Sequence, residues 1–164
     1  MRTVIVYYSL TENCRDTAEK IAEKTGADLL RIEPVKEIPK TGAIKFLWGG
    51  RSAVMGERPK LLSYSFDADK YDNVVLGCPV WASNPAPPMK TFIRDNSDSL
   101  GDKKVAAFMC FSGGGADKAL FKTEKLLGKG LTASLVLIDP RDKPDPKNAN
   151  KIESFCNTIK DLDE

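Results

Sequence analysis

Apolar runs rich in β-branched residues alternate with amphipathic stripes along this chain, and this alternation constrains the fold more than any other feature. Four runs, at residues 4–8, 74–78, 105–111 and 133–138, contain few polar residues. Such runs predict strands that are buried on both faces of a parallel sheet. A fifth run, at residues 28–32, alternates polar with apolar residues, which is typical of an edge strand.

Helical stripes separate these runs, because apolar side chains recur at spacings that place them on one helix face. The stripes comprise Cys14, Ala18, Ile21 and Ala22; Met89, Phe92 and Ile93; Leu120, Thr123 and Leu127; and Ile152, Phe155, Cys156 and Ile159. Right-handed crossovers then cover both sheet faces with helices. We therefore predict an α/β fold with a doubly wound, five-stranded parallel sheet in the order 2-1-3-4-5. The 164 residues fit a single domain, 1–164.

One segment, residues 34–65, does not fit this regular alternation. It is too long for an ordinary connection between strands and carries an apolar cluster at 44–48, so we expect a helix and a functional loop. It also contains six basic and two acidic side chains, a local charge of +4 in a chain whose net charge is +2. A solvated surface is the simple interpretation, and docking of an acidic redox protein or an anionic substrate is the functional one.

Composition excludes several functional classes. The chain has 0 histidines, which removes Ser-His-Asp triads, Cys-His dyads and zinc sites built on histidine. Lysine and arginine number 25 against 23 acidic residues, so no basic surplus indicates a nucleic-acid partner. No apolar run approaches the roughly 20 residues that a membrane-spanning helix needs. The 4 cysteines include no CxxC pair, and we expect reduced thiols in a cytoplasmic protein.

The turn after the first predicted strand carries the strongest chemical signal. Ser9, Thr11 and Asn13 precede a predicted helix whose apolar face begins at Cys14. Backbone N–H groups and the positive end of the helix dipole converge at such a turn and favour an anion. The alternative is that Thr11 or Asn13 only caps the helix. Neither a P-loop nor a GxGxxG pattern is present.

The YYSLTEN sequence of this turn resembles the S-x-T-x-N phosphate loop of the flavodoxin family, the FMN-binding electron carriers. Residues 78–88, CPVWASNPAPP, resemble the second flavin loop of that family, and residues 111–117, FSGGGAD, resemble the third. All three segments follow predicted strands, where a doubly wound sheet binds its ligands. The uninterrupted last strand resembles that of the short-chain branch of the family.

The resemblance implies FMN as cofactor and three groups of binding residues. The phosphate would be held by Ser9, Thr11, Glu12, Asn13 and Cys14. The isoalloxazine ring would be flanked by Pro79, Val80, Trp81, Ala82, Ser83 and Asn84, with Trp81 as a flat stacking surface. Backbone donors at the pyrimidine edge of the ring would come from Ser112, Gly113, Gly114 and Gly115. A core tryptophan and a plain glycine turn are the simpler interpretations of the second and third groups.

The chain also departs from the family pattern. Glu12 stands where glycine is common, with Arg15 nearby to offset its charge, and the nearly neutral chain differs from strongly acidic flavodoxins. The third loop lacks the tyrosine that often covers the second flavin face, so that face is open or is covered by Trp48, Phe46 or Met55. Cys14 next to Arg15 is similar to part of a low-molecular-weight tyrosine phosphatase site, but the C-x5-R loop is absent, which favours a packed thiol.

These features together favour an FMN-binding electron-transfer protein that needs no side-chain acid or base. The first alternative is an FMN-dependent NAD(P)H or quinone reductase that acts at an open flavin face, and the second is an interaction module without cofactor. The expected partner is a redox protein or a small electron donor or acceptor, and an acidic partner would suit the basic segment at residues 34–65.

Overall fold

The computed structural model describes residues 1–36 and 58–161. Six strands and five α-helices lie in these residues: β1 (Thr3–Tyr7), α1 (Asn13–Thr25), β2 (Asp28–Arg31), β3 (Asn73–Trp81), β4 (Asn84–Pro85), α2 (Pro87–Asp95), α3 (Ser97–Gly101), β5 (Lys104–Phe111), α4 (Ala116–Leu127), β6 (Ser134–Ile138) and α5 (Lys147–Asp161). A 3₁₀ turn at Ala68–Lys70 precedes β3.

Five of these strands form a parallel sheet in the order β2-β1-β3-β5-β6, as predicted. The two-residue β4 is an addition, because it pairs antiparallel with the end of β3. The predicted edge strand is β2, whose residues are all at least partly exposed. The chain thus has the doubly wound α/β fold expected from its alternating pattern.

Helices cover both faces of the sheet, since neighbouring side chains on a buried strand point to opposite faces. On one face, Val4 and Val6 of β1 pack with residues of α2 and α4 such as Phe92 and Ala119. On the other face, Ile5 of β1 packs with residues of α1 and α5. This two-sided burial explains why the predicted strands contain so few polar residues.

A close contact between strands fixes the centre of the sheet. Gly77 of β3 is paired in register with Phe108 of β5. The ring of Phe108 lies so near that a Cβ at Gly77 would be 2.1 Å from its Cζ atom. Only glycine fits beneath this ring, which packs β3 tightly against β5 just before both strands reach the edge of the sheet that carries the loops.

The two ends of the irregular segment are joined to each other. Pro34 and Leu61 form an isolated antiparallel bridge. The N–H of Val35 donates to the carbonyl oxygen of Lys60, and the N–H of Leu62 donates to that of Glu33, both at 2.8 Å. The predicted helix and loop between them, the basic residues at 40, 45 and 51, and Phe46, Trp48 and Met55 lie outside the described residues. Within the described chain, no helix is long and apolar enough to cross a membrane.

Candidate functional site

A cavity of about 450 Å³ lies at the carboxyl edge of the sheet, between the loops that follow β1, β3 and β5. This is the switch point of a doubly wound sheet, where adjacent loops diverge and leave a crevice. Its lining contains Ser9, Leu10, Thr11, Asn13, Cys14, Pro79, Val80, Trp81, Ala82, Cys110, Phe111, Ser112, Gly113, Gly114 and Asp139. The cavity therefore combines residues from all three predicted loops.

The first loop presents the start of α1 to the cavity. Ser9 is buried, and its Oγ accepts a hydrogen bond from the N–H of Arg15 at 3.1 Å, which leaves its O–H as a donor. The N–H groups of Asn13 and Cys14 belong to the first turn of α1, where no intrahelical acceptor exists. Hydroxyls, free backbone donors and the helix dipole therefore meet at one point that favours an anion.

Glu12 lies immediately before α1 in a left-handed conformation, with φ of 66°. Its carboxylate pairs with the guanidinium of Arg31 at 3.3 Å and with that of Arg15 at 3.4 Å. Burial by itself raises the pKa of Glu12, but the hydrogen bonds and ion pairs with Arg31 and Arg15 outweigh it and lower the pKa overall. The negative charge of Glu12 at the start of α1 is therefore held and offset by two cations.

The side-chain amide of Asn13, which lines the cavity, is already hydrogen-bonded within the protein. Its Nδ2 donates to Oγ1 of Thr11 at 3.2 Å and to a carboxylate oxygen of Asp142 at 2.8 Å. Both amide hydrogens are thus used. Asn13 ties the first loop to the segment that follows β6, and this contribution could not be predicted from the local pattern.

The second predicted loop is a hairpin in the structure. Strand β3 continues to Trp81, and Val80 and Trp81 pair with the two residues of β4. Ala82 and Ser83 form the turn with φ of 48° and 57°, the positive values that a type I′ hairpin turn requires. Pro79, Val80 and Trp81, expected in a loop, are therefore strand residues whose positions are fixed by backbone pairing.

Trp81 is supported from within the core. Its ring meets the ring of buried Tyr8 edge to face, with centroids 5.9 Å apart and an interplanar angle of 89°. Such edge-to-face pairs are worth roughly 0.5 to 1.5 kcal/mol beyond the area they bury. Trp81 is only partly buried and lines the cavity, so part of its apolar surface faces a potential ligand.

The third loop is built on small residues. The backbone of Gly115 has φ of 85°, and a Cβ there would lie 2.2 Å from Oγ of Ser83 in the hairpin turn. No described atom lies within 4 Å of a Cβ built at Gly113 or Gly114. Gly115 thus packs the second and third loops together, while the two preceding glycines leave open space beside the cavity.

Four predicted binding residues lie outside the cavity lining: Glu12, Ser83, Asn84 and Gly115. The first pairs with two arginines, and Ser83 and Gly115 pack against each other. The side chain of Asn84 donates to the carbonyl oxygen of Ala82 at 2.7 Å and accepts from Nζ of Lys122 at 3.0 Å. Their predicted cofactor contacts stay predictions.

Leu10, Cys110, Phe111 and Asp139 line the cavity although the sequence analysis did not select them. Asp139 follows β6 with φ of 36°, and its carboxylate accepts from Oγ of Ser112 at 2.6 Å and from Nζ of Lys143 at 3.0 Å. Its position at the carboxyl end of the last strand was the available signal, because ligands bind along that edge. The left-handed non-glycine residues of the described chain, Glu12, Ala82, Ser83 and Asp139, all lie in the loops around this cavity.

Cys14, Cys78 and Cys110 are buried free thiols, and Cys14 and Cys110 line the cavity. Burial raises the pKa of Cys14, and a hydrogen bond with Cys110 raises it further. Burial likewise raises the pKa of Cys78 to about 12. A nucleophilic cysteine needs the opposite shift, because the thiolate is the reactive form. The packed interpretation of Cys14 is therefore supported over the phosphatase alternative.

Comparisons with known proteins agree with this geometry. A flavoprotein from Lactobacillus acidophilus NCFM, solved in complex with FMN, superposes with a TM-score of 0.72 at 19% identity, covering 92% of this chain and 97% of that one. A structure described as a flavoprotein from Bacteroides eggerthii DSM 20697 has a TM-score of 0.72 at 26% identity, covering 96% and 97%. A flavodoxin from the domain Archaea has a TM-score of 0.65 at 17% identity, covering 100% of both chains.

No curated protein matches the chain by sequence. The family model described as Flavodoxin matches residues 2–136, a range that includes all three predicted loops. Because this match spans most of the chain and the strand order agrees with it, the chain belongs to the flavodoxin family.

Proposed function

We propose that this chain binds FMN noncovalently in the three-loop cavity and serves as an electron carrier. The observation that carries the proposal is the convergence, in one cavity, of a helix start with free backbone donors, an indole surface and a glycine edge. The FMN complex of the similar Lactobacillus flavoprotein supports the choice of cofactor. When bound, FMN supplies the redox chemistry, and the protein supplies binding, orientation and exclusion of water.

The residues fit the three chemical parts of FMN. The hydroxyls of Ser9 and Thr11 and the first N–H groups of α1 suit the phosphate. Trp81 suits the flat isoalloxazine ring, because Tyr8 holds the indole in place. Gly113 and Gly114 allow the backbone to approach the polar edge of the ring. The cavity of about 450 Å³ falls within the range of roughly 300 to 1,000 Å³ usual for cofactor sites.

The side chains around the cavity favour a carrier over an acid–base enzyme. The thiols of Cys14 and Cys78 have raised pKa values and stay protonated. Asp139, the carboxylate in the cavity lining, is already bonded to Ser112 and Lys143. Electron transfer through bound FMN needs none of these groups to accept a proton.

A reductase is the second candidate, and one observation favours it. The space beside Gly113 and Gly114 is open in the described part of the chain, so an NAD(P)H or quinone molecule has room to approach the second flavin face. NAD(P)H would reduce the flavin of such an enzyme without a partner protein, whereas a carrier would stay oxidised under the same conditions. Stopped-flow absorbance under anaerobic conditions distinguishes the two.

Exposed basic side chains suit an anionic partner. Lys118, next to exposed Asp117 in the first turn of α4 after the third loop, is exposed, and so are Arg58 and Lys60 at the end of the irregular segment. Lys118→Glu should slow oxidation of the reduced protein by ferricyanide at low salt and leave oxidation by a neutral quinone unchanged. Lys151→Glu on α5, across the sheet, is the matched control. Equal ferricyanide rates for both variants at low salt would contradict this partner assignment.

Cofactor identity is tested by heating the native protein and separating the released compound by chromatography. FMN is expected, and recovery of FAD or NAD would overturn the proposal. Thr11→Ala should weaken FMN binding about 10- to 100-fold and riboflavin binding little, because a hydrogen bond to a charged group contributes roughly 1.5 to 3 kcal/mol. Thr158→Ala, at an exposed position on α5, should change neither affinity.

A further inference from the structure

The segment between β6 and α5, residues 139–146, contacts the first loop directly; we call it the closing loop. The backbone N–H of Arg141 donates to Oδ1 of Asn13 at 2.9 Å, and the Asp142 carboxylate accepts from Nδ2 of the same side chain at 2.8 Å. Nη1 of Arg141 donates to the carbonyl oxygen of Thr11 at 3.3 Å. These contacts join positions roughly 130 residues apart in sequence.

The contacts change which groups are available to an anion at the first loop. Both amide hydrogens of Asn13 are used by Thr11 and Asp142, so this side chain has no free donor for a phosphate. The guanidinium of Arg141 lies beside the same loop and uses one of its five N–H donors on the Thr11 carbonyl. The closing loop thus uses the side-chain amide of Asn13 and places the guanidinium of Arg141 beside the first loop.

Arg141 also differs in pairing from three other cations, Arg15, Arg31 and Lys143. Arg15 and Arg31 pair with Glu12, and Lys143 pairs with Asp139. No carboxylate within the two described ranges forms an ion pair with Arg141, whose side chain is exposed. A guanidinium that already contacts the loop and has no charged partner is well suited to a phosphate dianion, which it can bind through two parallel hydrogen bonds.

We propose that Arg141 is a phosphate-binding residue of the cofactor site and that it supplies the positive charge for the terminal phosphate of FMN. The inference rests on the proposed function, since it requires FMN in the three-loop cavity. It makes the closing loop a fourth wall of the site. Arg141 then contributes to selectivity for the phosphorylated cofactor over riboflavin, and Asn13 and Asp142 are positioning residues that hold the Arg141 backbone against the first loop.

The test compares FMN and riboflavin dissociation constants by flavin fluorescence for wild type, Arg141→Gln and Arg141→Lys, at low and high salt. Arg141→Gln should weaken FMN binding about tenfold at low salt and leave riboflavin unchanged, with the loss shrinking at high salt because charge interactions are screened. Arg141→Lys should recover part of the loss. Arg94→Gln, on exposed Arg94 near the end of α2, is the matched control.

The outcomes separate the inference from the proposed function. Tight FMN binding by wild type with the same affinity in Arg141→Gln would overturn the role of Arg141 and leave the proposed cofactor intact. An equal loss of FMN and riboflavin affinity would also overturn it, because a phosphate contact cannot act on riboflavin. Failure of wild type to bind FMN would overturn the proposed function and the inference together. Thermal unfolding of each variant without flavin shows whether the fold is kept.

Discussion

The side chain of Asn13 provides the sharpest test of how the site is held together. It is 4% exposed and makes three hydrogen bonds, to Thr11, the Arg141 backbone and the Asp142 carboxylate, at 3.2, 2.9 and 2.8 Å. Neutral hydrogen bonds contribute roughly 0.5 to 1.5 kcal/mol each and those to a charged group roughly 1.5 to 3 kcal/mol. Arg141 and Asp142 are exposed and regain water when the bonds are lost. We therefore expect Asn13→Ala to lower the free energy of unfolding by about 2 kcal/mol.

An exchange of charge makes this prediction specific. Asn13→Asp replaces the donor with a second carboxylate that faces Asp142, so it removes two hydrogen bonds and adds repulsion. In the double variant Asn13→Asp/Asp142→Asn an amide again faces a carboxylate, and the double variant should be about 2 kcal/mol more stable than Asn13→Asp alone. Any favourable interaction of the new carboxylate with the helix dipole is common to both variants and cancels.

The measurement is urea unfolding of flavin-free protein, followed by circular dichroism, with the slope of the transition checked for constancy. Asn150→Ala, at an exposed position on α5, is the control and should stay within about 0.5 kcal/mol of wild type. If Asn13→Ala cost less than about 0.5 kcal/mol, or if the exchange gave no recovery, the contact between the first loop and the closing loop would not be a stabilising feature.

Three further predictions follow from single contacts. Gly77→Ala should lower the free energy of unfolding in urea by about 1 to 3 kcal/mol, because the new methyl group overlaps the buried ring of Phe108. When Phe108→Leu is added to Gly77→Ala, part of that cost should be cancelled. If the costs of the two single substitutions simply added in the double variant, the clash would be refuted. Glu12→Gln should tighten FMN binding about 2- to 5-fold and leave riboflavin binding unchanged, since it removes a negative charge that Arg31 now offsets. A weaker FMN affinity in a fluorescence titration would count against an anion at this turn. Trp81→Ala should both lower the affinity for flavin and shift the reduction potential of the bound flavin. An unaltered potential in spectroelectrochemistry would show that Trp81 does not stack on the flavin ring.

Much of the architecture follows from local sequence. Strands such as β1 and β5 are read from continuous apolar runs, because only a sheet covered on both faces buries neighbouring side chains together. The turn at Ser9 to Asn13 is also a local signal, since short polar side chains between a strand end and a helix start are typical of a turn that favours an anion. The strand order was predicted from the apolar runs and the family from the resemblance of three loop sequences, and both are confirmed.

Other features depend on contacts between distant segments and have no local signal. The extension of β3 to Trp81 comes from antiparallel pairing with β4, which overrides the loop pattern of a proline-rich stretch. The sequence predicts Asn13 as a phosphate-binding residue, and only the fold shows that Arg141 and Asp142 hydrogen-bond its side-chain amide. A short polar side chain has the same local appearance whether it binds a ligand or holds another loop. Which of these it does is decided by the groups that the parallel sheet gathers at its carboxyl edge.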